Sequence, residues 1–270
     1  MSDELQFVVP YITKITGGRS VGHLDYKPFT RRHRPHIHPI GSILFLTYRL
    51  AGTVPKETVR YYKSKGEWLR NEIARITATS NDSNSHLVKE QLERLDEFER
   101  EWFGKFEDIL HKSKFGPSWL KDERIAMTVA AGLHELDNEA YRLDAYSIMS
   151  NHVHAVFKPL LTEDEVLETY DPNGRIVIAG HPSLSRIMQS LKGRSARNCN
   201  QLLGRVGQFW EHENFDRVIR ADRFNSTVRY VLNNPVKAGL VSDWREWPGN
   251  YVRPELFGQF CSVRPESSDA

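Results

Sequence analysis

Cysteine is almost absent from this chain: two in 270 residues, Cys199 and Cys261. They stand in unrelated contexts and form no Cys-x-x-Cys pair, so neither a disulfide framework nor a cysteine-based metal knuckle is available. With no cysteine pair to complete a tetrahedron, the sequence argues against a closed structural zinc site. Long apolar runs are missing as well. No segment approaches the roughly 20 apolar residues that span a bilayer. The stretch Met1 to Tyr11 lacks the basic start and apolar block of a secretory signal. A cytoplasmic location, with no membrane partner, is the resulting expectation. Net charge is nearly balanced at +2, so any nucleic-acid surface has to come from local clustering of cations.

What is present is an ordinary complement of apolar residues, 39% of the chain, enough for a substantial core. Ser42 to Leu50 is β-branched and aromatic, stops at Gly52 and Pro55, and predicts a buried strand. From Lys56 to about Ser113 apolar residues recur at helical spacing amid dense charge, interrupted by Thr79 to Ser85, a turn-forming run. That pattern predicts two amphipathic helices in an antiparallel hairpin, read as an inserted subdomain (56–115) rather than a catalytic element. Asp122 to Leu136 is again helical, Tyr141 to Ile148 a strand, Ser150-Asn151 a turn, and His152 to Lys158 a second strand. Thr162 to Gly180 reads as a long loop, Leu184 to Leu203 as a helix, Phe209 to Val218 as a short strand or hairpin, and Asp222 to Asn233 as a last helix, since Asn234-Pro235 disfavours continuation.

This order predicts an α+β fold with a ferredoxin-like (split βαβ) antiparallel sheet, helices on one face, and the helical hairpin inserted after the first strand. Three regions are expected: an N-terminal arm over 1–40, a main domain over 41–250, and a C-terminal tail over 251–270, fraying beyond Trp247.

The chemistry begins at Asn151-His152-Val153-His154. In a strand, alternate side chains share a face, so His152 and His154 stand side by side while Val153 enters the core. Two imidazoles on one face are half of a divalent-metal site; alone, they are as readily an ordinary surface pair. A similar pair, His36 and His38, lies between Pro35 and Pro39, which argue against a regular strand there. Two basic groups could meet phosphate. One is Arg31, Arg32 and Arg34 in the arm. The other is Lys192, Arg194 and Arg197, which with Arg186 give the 184–203 helix cations without interspersed acids. Trp210 and Phe215 could stack on unpaired bases, although a tryptophan in a strand usually packs in a core.

Several of these pieces carry a resemblance. Met149-Ser-Asn-His-Val-His154 resembles the "HUH" motif of single-tyrosine transposases. Ile187-Met-Gln-Ser-Leu-Lys192, Gly207-Gln-Phe-Trp210, Asn214-Phe-Asp-Arg217, Ile219-Arg220 and Tyr230-Val-Leu-Asn-Asn-Pro-Val-Lys-Ala-Gly-Leu-Val241 come in the order seen in the REP-associated tyrosine transposase branch. Arg31 to His36 and Phe45 to Gly52 resemble that family's opening. The similarity covers roughly 31–55 and 119–248; Ser150 stands where many members have Pro.

The resemblance implies a metal-dependent single-strand DNA endonuclease and transposase that nicks and rejoins hairpin-forming DNA. Its nucleophile would be Tyr230, forming a covalent 5′-phosphotyrosine, with Mg²⁺ or Mn²⁺ held by His152 and His154. Asn234, one helical turn beyond Tyr230, occupies the place where related enzymes put a Gln ligand; it could equally cap the helix before Pro235. Related enzymes exchange the tyrosine helix between dimer partners, so a homodimer is allowed for. The alternative is a domesticated hairpin-DNA-binding protein without strand transfer.

Overall fold

The structure, a computed structural model, describes residues 41–78, 85–160, 167–170, 176–179 and 184–261. The N-terminal arm, with Arg31, Arg32, Arg34, His36 and His38, lies outside the described residues.

The first strand, β1 (Ile43–Leu50), is buried over seven of its eight residues. Helices α1 (Lys56–Ala78) and α2 (Ser85–Lys112) come next as the expected pair. A short 3₁₀ turn (Trp119–Lys121) leads to α3 (Glu123–Glu135), whose N-cap Asp122 accepts from the Arg124 amide, satisfying one of the free donors at the helix start. Then come β2 (Tyr141–Ile148), β3 (His152–Pro159), a small antiparallel ladder of β4 (Leu167–Tyr170) with β5 (Ile176–Ala179), α4 (Leu184–Leu202) and β6 (Trp210–Ile219). The β4–β5 ladder lies inside the stretch expected as a loop. A 3₁₀ turn (Ala221–Arg223) opens α5 (Phe224–Leu232), and Pro235 starts a separate turn, α6 (Asn234–Lys237).

With a last strand β7 (Asn250–Val252), the main sheet has the order β6-β1-β3-β2-β7, antiparallel throughout. Leaving aside β7, strands β1, β2, β3 and β6 with α3 and α4 form the two interleaved βαβ units of the ferredoxin-like pattern.

The sheet is covered on both faces. Along β1, Leu44, Leu46, Tyr48 and Leu50 join the core under α3 and α4, with Ile125, Val129, Leu133, Ile187 and Leu191. Phe45 belongs to the opposite core. That second core contains Val156, Ala145 and the α5 residues Val228, Val231 and Leu232, with Phe103 of α2 packed against it. Helices on one face was therefore only half of the arrangement. The paired helices α3 and α4 do share a face, but β1 and β3 are central strands and need cover on both sides, as their near-continuous apolar runs indicate.

Beyond Trp247 the chain does not fray as expected. β7 pairs with β2 through Ala145↔Val252, Tyr146↔Tyr251 and Ser147↔Asn250. Helix α7 (Pro254–Cys261) then sends Phe260 into the second core. The strand is only three residues long and its helix eight, too short for periodicity to reveal either.

The insert meets the sheet at a tight crossing. Gly116, at φ +67°, lies so close to the end of β1 that a Cβ there would sit 2.6 Å from Gly52 O and 2.8 Å from the Thr53 amide nitrogen. Gly116→Ala is expected to cost about 2 kcal/mol or more through the left-handed backbone and the overlap with rigid main chain. A urea midpoint equal to that of the unsubstituted protein would show that the approach is not there.

Candidate metal and nucleophile site

The period of two along β3 does what the sequence implied. Val153, Ala155 and Phe157 enter the core under α3 and α4, and His152 and His154 face the other way, both fully buried. Their Nε2 atoms are 3.1 Å apart.

Neighbouring strands fix the rings. Thr47 lies opposite His154 in the β1–β3 register, and its Oγ1 is 2.8 Å from His154 Nδ1. Phe45 stacks on the His154 ring at 5.6 Å between centroids. His152 Nδ1 is 2.7 Å from Asn151 Oδ1. Asn151 is itself oriented, because its Nδ2 donates to Leu110 O and Ser113 Oγ, leaving Oδ1 as an acceptor. His152 Nδ1 therefore carries a proton. Burial first, then the adjacent His154, with His111 adding to them, hold this imidazole well below the usual histidine range. It is neutral, and its Nε2 lone pair points at His154. Such an outer partner that sets the tautomer is a common support for a histidine ligand.

Two further groups arrive from the insert. Glu107 and His111, one turn apart on α2, stand with His152 and His154 in a set whose ligand atoms all lie within 4.8 Å of one another. Glu107 Oε2 is 3.1 Å from His154 Nε2 and 3.7 Å from His111 Nε2. The same oxygen accepts the Tyr230 hydroxyl at 2.8 Å. Burial by itself would raise the Glu107 carboxyl, but His154, followed by His152 and the Tyr230 hydroxyl, outweighs it and brings the group down to about 2. The Tyr230 phenol moves the other way: burial, then the Glu107 charge, push it far above its ordinary value.

The sequence-predicted residues divide. His152, His154 and Tyr230 come together, with the Tyr230 and His154 ring centroids 5.9 Å apart. Asn234 is fully buried beside them, its Oδ1 2.8 Å from His111 Nε2 and its Nδ2 donating to Tyr230 O. Lys192 is engaged elsewhere: its ammonium donates to the carbonyls of Glu211, His212 and Glu213. Arg194 pairs with Glu135 at 3.5 Å, and Arg197 is exposed. Trp210 is core, donating Nε1–H to Ser195 Oγ and lying edge-on to Tyr48. Phe215 packs on Phe103 at 4.5 Å, so neither aromatic is an open stacking platform.

Glu107 and His111 are the residues sequence reasoning passed over. The insert, read as a non-catalytic subdomain, delivers half of the cluster. Cysteine alone was a poor guide to whether a closed site can form, because these two residues bring the donor set to four without one. A signal was available: positions 103, 107, 110 and 111 share one helical face, which places a Glu and a His in phase with apolar Phe103 and Leu110.

The donor set fits a divalent cation on an observation independent of residue type. Glu107 Oε1 is buried with no hydrogen-bond partner among the described residues, an arrangement that costs free energy unless something positive meets it. His152, His154, Glu107 and His111 are the residues that would hold the ion.

No protein-family model matches this sequence, and no curated protein does. One solved structure is titled "Structure of the REP associates tyrosine transposase bound to a REP hairpin". It is 12% identical, with a TM-score of 0.38, over 84% of this chain and 82% of that one. This chain is similar to a REP-associated tyrosine transposase. At that identity and score, function has to be read from the cluster's own geometry. No helix among the described residues is long and apolar enough to cross a membrane.

The depressed groups give a pH signature in metal-free protein. A neutral buried His152 contributes stability that is lost as pH falls below the ordinary histidine value of 6.5, and Glu107 contributes stability lost as pH falls from 4.5 towards about 2. The Glu107 contribution is on the order of 3 kcal/mol at most. Urea unfolding in the presence of chelator should show Glu107→Gln less stable than the unsubstituted protein at pH 7. The gap should narrow as pH drops below about 4.5. A gap that stays constant would mean that Glu107 is not held ionised by its neighbours.

Proposed function

We propose that this protein is a metal-dependent single-strand DNA endonuclease and strand transferase acting on hairpin-forming DNA through Tyr230. The observation that carries the reading is the single carboxylate oxygen, Glu107 Oε2, that meets both the Tyr230 hydroxyl and His154 Nε2. That contact sets a potential nucleophile beside a metal-type donor set. The motif order around His152-Val153-His154 and Tyr230, resembling REP-associated tyrosine transposases, supplies the substrate class. Arg194, Arg197 and the 31–34 arm are the proposed DNA contacts, with Lys192 supporting β6 from within.

In the proposed reaction the Tyr230 oxygen attacks the phosphorus of one phosphodiester. An O–P bond to the phenol forms, the bond from phosphorus to the 3′ oxygen breaks, and that oxygen takes up a proton to leave as a 3′-hydroxyl. The product is a 5′-phosphotyrosine. Because one ester replaces another, the reverse attack by a different 3′-hydroxyl rejoins DNA without an external energy source. Glu107 Oε2 is the acceptor already aligned with the phenol proton. With Glu107 held so acidic and the phenol so weakly acidic, that proton stays on Tyr230 in the resting arrangement. Bound Mg²⁺ or Mn²⁺ would polarise the phosphate and stabilise the charge developing on its oxygens. Asn234 positions His111 by accepting from its Nε2 rather than serving as a ligand itself, and a homodimer belongs to the same proposal.

A second reading, a hairpin-DNA-binding protein without strand transfer, draws on the complete burial of His152 and His154 beneath α2. One experiment separates the two. A 5′-labelled and a 3′-labelled hairpin oligonucleotide are incubated with the protein and Mn²⁺ or Mg²⁺, and denaturing gels are scanned for a protein–DNA adduct. The enzyme gives an adduct retaining the 3′ label only, and Tyr230→Phe abolishes it while leaving hairpin affinity within about twofold. Tight binding with no adduct in either metal supports the binder.

A further inference from the structure

We propose that Glu107 and His111 of the inserted hairpin are metal ligands alongside His152 and His154, and that this three-imidazole, one-carboxylate set selects a transition-metal ion over Mg²⁺. The inference rests on reading the histidine pair as a metal site. It goes further by assigning half of the ligands to the insert and by naming the class of ion.

Spacing is the first ground. Ligand atoms about 2.0–2.1 Å from an ion at tetrahedral angles lie roughly 3.3 Å from one another. His152 Nε2 to His154 Nε2 and His154 Nε2 to Glu107 Oε2 are both 3.1 Å, and the whole set lies within 4.8 Å. His111 Nε2, 3.7 Å from Glu107 Oε2, donates to Asn234 Oδ1 in the metal-free arrangement and would move its proton to Nδ1 on binding the ion. The second ground is the state of the donors. Asn151 keeps the His152 proton on Nδ1 and leaves Nε2 free to bind, while Glu107 is buried with Oε1 unpartnered among the described residues. A buried carboxylate oxygen without a proton donor is an expensive thing to retain unless a cation sits against it.

Donor chemistry then chooses the ion. Imidazole-rich sites suit zinc, cobalt, iron and, with a carboxylate, manganese. Mg²⁺ takes oxygen ligands in octahedral geometry and retains several waters. Here three of four donors are nitrogens, and His152 and His154 have no exposed surface through which a retained water shell could reach them.

The assignment gives the insert a role. Helix α2 already leans on the motif through Asn151 Nδ2 to Leu110 O, Ser113 Oγ to Ser150 Oγ, and His111 to Asn234. An ion shared by α2 and β3 would fasten the hairpin to the sheet. Metal loading and insert docking then become one equilibrium.

The test uses the full chain stripped of metal by chelation. Co²⁺ titration followed by visible absorption should give one equivalent bound with the intense bands of a four- or five-coordinate site. His111→Ala and Glu107→Ala should each weaken Co²⁺ binding about tenfold or more and replace those bands by weak octahedral ones. Zn²⁺ or Mn²⁺ should raise the melting temperature where millimolar Mg²⁺ does not. Hydrogen exchange over Glu107 to Lys112 in the unsubstituted protein should slow on adding Zn²⁺, which keeps the proposal testable if a variant fails to fold.

Unchanged Co²⁺ affinity and spectrum in His111→Ala, with loss in His154→Ala, would overturn the proposal and leave the histidine-pair site standing. So would loss in Asn234→Ala but not in His111→Ala, or equal stabilisation by Mg²⁺ and Mn²⁺. No divalent binding by the unsubstituted protein would remove the metal reading itself.

Discussion

One carboxylate organises this molecule's second face. Glu107 is taken out of water, which by itself costs several kcal/mol, and its compensation comes from elements far apart in sequence. His154 belongs to a central strand and the Tyr230 hydroxyl to a helix more than a hundred residues on from Glu107. Neither partner can be removed without leaving a buried charge in a poorer environment. The docking of α2, the direction of the Tyr230 side chain and the position of His154 are thus conditions on one another. Phe45 and Phe103 pack against the Tyr230 ring beside this contact, and Phe215 packs on Phe103.

Much of the frame was legible in the sequence because it is governed by short-range rules. The β-branched run at 43–50, the alternation through His152 to Phe157 and the Asn234-Pro235 stop are each decided within a few residues. The split βαβ order comes from the succession of elements. The face on which the two histidines sit is fixed in the same way, since a one-residue slip would have sent Val153 outward and both imidazoles into the apolar core.

What escaped was set by tertiary partners. In α2, Glu107 is one acid among several, and Glu97, Glu99 and Glu101 are equally charged at similar spacing; only docking against β3 decides which of them is buried. Its phase with Phe103 and Leu110 is visible in retrospect, but an amphipathic helix tolerates an occasional charge at the edge of its apolar stripe. Lys192 is placed by its tertiary partners for the complementary reason. Composition marks it as a cation in an unbalanced run, whereas its position opposite the start of β6 lets it bind three carbonyls at once. Likewise β7 exists because the free edge of β2 and the second core offer a place for it, not because Asn250-Tyr-Val252 has strong strand character.

The architecture also ranks the parts by their freedom to move. β3 is flanked by β1 and β2 over nearly its whole length, so the histidines are as fixed as anything in the molecule. Helix α5 is tied through Val228 and Val231, both without exposed surface. Helix α2 is held at its C-terminal end by the fully buried Leu110 together with polar contacts: the Glu107 and His111 pairs, the Leu110 carbonyl and the Ser113 hydroxyl. Polar contacts of this kind can be exchanged for contacts with water or a ligand at small net cost, whereas apolar burial cannot. If a phosphate is to reach His152 and His154, the element that gives way is therefore the insert.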